Sequence, residues 1–177
     1  MRANLAQCGR MMYDKGYPWG MVSNGFALTE KRYLGLLSSG LRAMTISLDG
    51  LGETHEWMRG RKGSFERAAR AIKMVIDSGE IEFDVVTCVN RRSYPQLAQI
   101  KEYLIGLGLK EWRLFTVFPV GRAAEDSQLQ LSREEFRGLM DFIRDTRRKG
   151  RIKASYGCEG FLGNYEGDVR DGFFICR

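Results

Sequence analysis

The sequence predicts an α/β fold: an incomplete, open TIM-like βα barrel of about four to five parallel strands with its helices outside. Three observations carry this. Helical stretches alternate with short β-rich runs, and alternation at this spacing implies parallel strands joined by right-handed crossovers. At 177 residues the chain is too short to close eight βα units, which take ~250 residues and ~200 at the least. The run from Ala43 to Asp49 also alternates, setting Met44, Ile46 and Leu48 on one face and Thr45, Ser47 and Asp49 on the other. A packed barrel interior is filled by bulky branched side chains, so a small polar inner face marks an open interior with room for a ligand.

Each element follows from local pattern. Leu5, Cys8 and Met12 recur at helical spacing before Gly16, and Trp19 to Ser23 then reads as a strand. Thr29 is a helix N-cap, with Tyr33, Leu36 and Leu37 on the inner side up to Gly40, and the strand Ala43 to Leu48 follows. A third helix after Gly63-Ser64 carries Phe65, Ala68, Ile72 and Val75 on one face as far as Gly79, ahead of the strand Glu82 to Val89. Ser93 and Pro95 open a fourth through Leu97, Ile100 and Leu104, and Glu111 to Phe118 is the next strand. Ser132 and Glu135 form a capping box for a fifth helix over Phe136, Leu139 and Ile143, and Ile152 to Tyr156 is a candidate fifth strand. The polar alternation places Ser23, Thr45 and Ser47 together on the concave surface. The first helix has no strand before it, so the sequence is expected to begin part-way through a βα unit.

Composition narrows the function class. The net charge is +6 with a single histidine. A basic balance can serve nucleic acid, but the runs Arg59-Gly60-Arg61-Lys62, Arg91-Arg92 and Arg147 to Arg151 each lie beside a predicted helix end, and the third falls in a last helical turn, where cations complement the helix dipole without any ligand. No groove of interleaved aromatic and basic residues appears, so nucleic acid is not expected as a partner. No apolar run approaches the ~20 residues that span a bilayer, and a cytoplasmic protein without a membrane partner is expected. Four scattered cysteines, Cys8, Cys88, Cys158 and Cys176, do not make a disulfide scaffold and read as buried thiols or metal ligands.

The chemistry concentrates at strand C-termini, where parallel α/β folds bind ligands. Ser23-Asn24-Gly25 and Ser47-Leu48-Asp49-Gly50 end consecutive strands, and Trp57-Met58-Arg59-Gly60 follows. Asn-Gly and Asp-Gly are also common turn pairs, so capping of their own turns accounts equally well for Asn24 and Asp49. Taken with His55, Gly63-Ser64-Phe65, Thr87, Asn90 and Pro119-Val120-Gly121-Arg122-Ala123, the series resembles successive landmarks of radical S-adenosylmethionine (radical SAM) enzymes of the SPASM-domain, sulfatase-maturase-like type. The order and spacing match the third to sixth strands of that family's six-stranded partial barrel.

The resemblance implies site residues. Ser47 would lie near the amino-acid end of S-adenosylmethionine and Arg59 near its carboxylate, which an arginine fork can pair bidentately. Phe118 would lend backbone contacts to the adenine, and Asn24 and Asp49 would border the same cofactor. Residues 156–163 and 169–176 resemble the opening of a SPASM domain, with Cys158 and Cys176 as its first two ligands to an auxiliary [4Fe–4S] cluster, although Gly172 sits four positions before Cys176 where the family has five. Two unliganded thiols are the equal alternative. The family's C-x3-C-x2-C motif is absent, and the reading expects it upstream or removed, so that the chain is an internal fragment. The implied organisation is the central and C-terminal barrel at 1–130, a connecting helix and strand at 131–156 and a truncated SPASM start at 157–177. The resemblance implies an enzyme that generates a 5′-deoxyadenosyl radical to modify a peptide or protein, with the chain alone expected to be inactive. The competing reading is a cluster-less binding or structural module. No residue of the chain is identified as catalytic.

Overall fold

A computed structural model describes residues 4–157 and 160–171. Five strands, β1 (Trp19–Ser23), β2 (Leu41–Ser47), β3 (Glu82–Val89), β4 (Glu111–Thr116) and β5 (Lys153–Tyr156), form one sheet in the order β1-β2-β3-β4-β5. All four pairings are parallel. Each strand lies beside its predecessor, so right-handed crossovers carry every connecting helix to the same face. A doubly wound sheet would instead reverse direction part-way and put helices on both faces.

The helices are α1 (Leu5–Asp14), α2 (Glu30–Ser38), α3 (Glu53–Arg59), α4 (Ser64–Ser78), α5 (Leu97–Gly106) and α6 (Arg133–Lys149). On the helix side Met44, Ile46, Val85, Val89, Trp112, Leu114 and Ala154 join Ala68, Ile72, Ile100, Leu104, Leu139 and Ile143 in one core. Each of the valine, leucine, isoleucine and methionine side chains contributes about 1.5–3 kcal/mol on full burial. Gly25, two residues past β1, has φ 69°, and a Cβ there would sit 3.1 Å from both Ala68 Cα and Ala71 Cβ, so the missing side chain lets α4 approach the strand end. The capping box at Ser132 and Glu135 forms with both of its hydrogen bonds. Thr29 caps α2 by accepting from the Arg32 amide at 3.4 Å.

Four local expectations are corrected. Ser23 does not share a face with Thr45: the register pairs Val22 with Thr45 and Ser23 with Ile46, so Ser23 stands on the helix side and its Oγ accepts from the Gly25 amide. In α1 Cys8 and Met12 are exposed; the buried residue is Gly9, whose missing Cβ would lie 2.2 Å from the Trp19 ring. That close approach, not the apolar stripe, sets the helix against the indole. β4 ends at Thr116, so Phe118 lies beyond the strand. Residues 53–59, read only as a loop motif, form a short helix closed by Gly60 in the left-handed conformation.

Candidate functional site

The inner face of the sheet is built from the residues that alternate with the core. Pairing aligns Val22, Thr45 and Asp84 in one rung and Ser47, Val86, Arg113 and Ser155 in the next toward the strand C-termini. Thr45, Ser47 and Val86 are each below a tenth exposed yet lie outside the hydrophobic core. Ser47 ends β2, and its hydroxyl has no partner among the described residues.

Beyond Ser47 the chain folds a charged knot over the end of the sheet. Asp49 is fully buried; its Oδ1 accepts from the Cys88 amide at 3.0 Å, and its Oδ2 lies 2.6 Å from Arg59 Nη2. The carboxylate therefore ties β2 to β3 rather than capping its own turn. Burial pushes the Asp49 carboxyl above its ordinary range, while the Arg59 charge and the Cys88 amide pull it back. α3 delivers Arg59 from its last turn, and 30% of that side chain stays exposed at the rim.

His55, on the same helix, is fully buried and its Nδ1 accepts from the Asp49 amide at 3.0 Å. The accepting Nδ1 fixes the neutral tautomer with hydrogen on Nε2. Nε2 is buried without a partner, as is the Ser64 hydroxyl at the start of α4. Burial first, and then the Arg59 charge, lower the imidazole from 6.5 to about 4. A neutral histidine thus holds the Asp49 backbone while its side chain faces Arg59. The sequence flags His55 only as a landmark; a lone histidine six residues past Asp49 carries no signal for an acceptor turned back onto that amide.

The remaining expected site residues fall in different places. Asn24 is exposed, and its Oδ1 accepts from the Phe26 amide at 3.1 Å, a turn-closing bond. It follows the Ser23–Ile46 pair and so stands at the same rim as Ser47. Phe118 lies past β4, 59% exposed, with its carbonyl accepting from the Val120 amide at 2.9 Å. Asn24, Ser47, Asp49 and Arg59 therefore gather at the ends of β1 and β2, whereas Phe118 stands beyond β3 at the end of β4. Cys158 and Cys176 lie outside the described residues.

Sequence reasoning missed a second polar cluster on the inner face. Asp84 pairs with Arg113 through Nε, and again through Nη2 at 3.1 Å; Nη2 also donates to Thr45 Oγ1 at 2.8 Å, and Thr45 Oγ1 donates to Asp84 Oδ1 at 2.6 Å. The signal was available in Glu111-Trp112-Arg113-Leu114-Phe115, where a cation alternates with residues of the core.

Fold and rim together define a class: an open parallel βα barrel that presents hydroxyl and charged groups at consecutive strand ends, where such folds take their ligands. No family model matches the chain. The chain is 30% identical over 149 residues, 84% of its length, to 38% of the AdoMet-dependent heme synthase of Oleidesulfovibrio alaskensis. It is 29% identical over 105 residues, 59% of its length, to 25% of SkfB, the sporulation killing factor maturation protein of Bacillus subtilis. In fold it matches Streptococcus suis SuiB bound to its precursor peptide SuiA at a TM-score of 0.70 and 12% identity, covering 98% of this chain and 39% of that one. SuiB has also been solved bound to S-adenosylmethionine. The chain belongs to the radical SAM family. It spans about two-fifths of the length of the heme synthases it matches.

Proposed function

We propose that this chain supplies the S-adenosylmethionine-binding rim and substrate wall of a radical SAM enzyme of the SPASM type that modifies a peptide or protein. The observation that carries the reading is the Ser47 hydroxyl, unpartnered on the inner face at the end of β2, two residues before the Asp49 that holds the rim guanidinium of Arg59. Those groups fit the cofactor. The hydroxyl would hold the amino-acid end, and the guanidinium, anchored by Asp49 through Nη2 and partly exposed at the rim, would pair the carboxylate. The backbone at Phe118 would lend contacts to the adenine, and Asn24 borders the rim from β1.

The described residues do not fit an iron–sulfur cluster: no group of three His, Cys, Asp or Glu among them could hold a metal ion. Cys8 is exposed on α1, and Cys88 stands on β3. Bound S-adenosylmethionine would supply hydrogen-abstracting chemistry, its C5′–S bond breaking to methionine and a 5′-deoxyadenosyl radical with one electron from a [4Fe–4S] cluster that none of the described residues would hold. The chain's own part is to fix the cofactor's polar end and to wall the reaction space. The likeness to SkfB and SuiB supports a peptide substrate, and the likeness to a heme synthase supports a tetrapyrrole as the second reading. Among the described residues no helix is long and apolar enough to cross a membrane.

Calorimetric titration of S-adenosylmethionine tests the reading. Arg59→Lys, which keeps a charge opposite Asp49 but loses the planar fork, is expected to weaken binding by at least about tenfold. Ser47→Ala is expected to weaken it about three- to tenfold. Arg61→Ala, whose guanidinium stacks 3.7 Å over the Phe26 ring, should leave binding unchanged. Equal small losses at all three positions would reduce Arg59 to part of a charged surface, and a chain that takes no cofactor at all would favour the binding-module reading.

A further inference from the structure

On the inner face Arg113 is held from one side only. Asp84 takes its Nε and Nη2, and Thr45 takes Nη2 again, so the guanidinium is locked in place across three strands. The Nη1 group has no partner among the described residues, and 41% of the side chain is exposed. Next to it in the same rung stands Ser155 on β5, partly exposed and with its hydroxyl also unpartnered. Such a pair has no evident structural need. An ion pair on a sheet face costs desolvation of both charges, and a matched apolar pair would fill the space as stably. What the arrangement adds is direction: a guanidinium held in place with its Nη1 donors free, and a hydroxyl on the paired residue of the neighbouring strand, both on the inner face of the sheet.

We propose that Arg113 and Ser155 form a subsite for a substrate carboxylate, positioned by Asp84 and Thr45. The inference rests on the reading of this face as the substrate wall. A carboxylate matches because its two oxygens can accept from Nη1 and from the hydroxyl at once, and charge-assisted bonds of this kind are the stronger ones. The subsite is offset from the polar end of the cofactor rim: Arg113 lies on β4, two strands along the rung from Ser47, and Ser155 on β5, whereas Ser47, Asp49 and Arg59 gather at the end of β2. Asp84 neutralises the guanidinium, so attraction at long range is weak and recognition depends on the fixed donors at close contact.

The carboxylate could come from a tetrapyrrole propionate or from an acidic peptide side chain, and two probes separate these. Coproporphyrin III and its tetramethyl ester form one arm; a glutamate-containing peptide and its glutamine counterpart form the other. Both are titrated without S-adenosylmethionine, so a failure of the cofactor reading leaves this result legible. One of the two acids is expected to bind, with Arg113→Gln weakening it at least about tenfold and Ser155→Ala about three- to tenfold. The ester or glutamine counterpart should bind as weakly to native protein as to Arg113→Gln. Arg151→Gln, which removes an exposed cation paired with Glu102, should bind as the native protein does. Ser155→Ala disturbs no ion pair and decides the matter if Arg113→Gln does not fold. Failure of both acids to bind, or unchanged binding in Arg113→Gln or Ser155→Ala, would overturn the proposal.

Discussion

On β3, Val85 and Asp84 are neighbours in sequence and opposites in function. Val85 is fully buried in the core with its flanking helices, while Asp84 meets Thr45 and Arg113 on the face that the core leaves uncovered. The same division runs through Ile46 and Ser47 on β2 and through Trp112 and Arg113 on β4. A period of two thus separates the residues that hold the fold from those available to a ligand. The division has a cost at the rim, where Asp49, His55 and Arg59 put buried polar groups on the structural side of a ligand-facing edge.

The largest effect should come from the helix side. Trp112 is fully buried, packs edge-on against Phe142 and donates Nε1–H to Thr87 Oγ1 at 2.8 Å. Trp112→Ala should cost about 3–5 kcal/mol in chemical denaturation, the range for emptying an aromatic site. A loss no larger than that from an inner-face residue would break the comparison.

Next is the rim ion pair. Arg59→Ala strands a fully buried carboxylate, and about 3 kcal/mol of stability should go with it, near the lower end for such losses because Arg59 is partly exposed. Adding Asp49→Asn should recover at least half of that loss. No recovery would mean that Arg59 acts on stability through something other than Asp49.

His55 sharpens the picture through pH. Its folded value of about 4 lies below the ordinary 6.5, so the unfolded chain binds the proton first. The contribution is fully present above pH 6.5 and is lost as pH falls toward 4, a decline of about 2–3 kcal/mol. In His55→Gln that part of the acid decline should disappear, measured as the difference between the two stability-against-pH curves.

The inner face should give the smallest stability effects. Ser47→Ala removes a hydroxyl with no partner and should change stability by less than about 0.5 kcal/mol. A large loss there would place Ser47 among the residues that hold the fold.

How far the sequence discloses all this follows the same line. The strands, their parallel order and the capping box at Ser132 are local signals of period, crossover spacing and side-chain reach, and they were legible. The polar face of β2 was legible at Thr45 and Ser47 but not at Ser23, because a strand's alternation fixes its two faces and not which one meets its neighbour's helix side. The residues at the rim could be named from resemblance, but their partners could not. Arg59 finds Asp49 ten residues back, His55 turns onto the amide of that same Asp49, and Arg113 reaches across to Asp84 and Thr45 on two other strands. Those contacts are set by register and by the short helix α3, which local periodicity over seven residues does not announce.

The most direct measurement maps S-adenosylmethionine on the folded chain by amide chemical shifts. Perturbations should gather at residues 47–50, at Asn24 and Gly25, at Arg59 and Gly60 and at residues 116–118, leaving the outward faces of α2, α4 and α6 unmoved. Shifts confined to the basic helix ends at Arg61-Lys62 and Arg147 to Arg151, with the strand-end residues silent, would contradict the account.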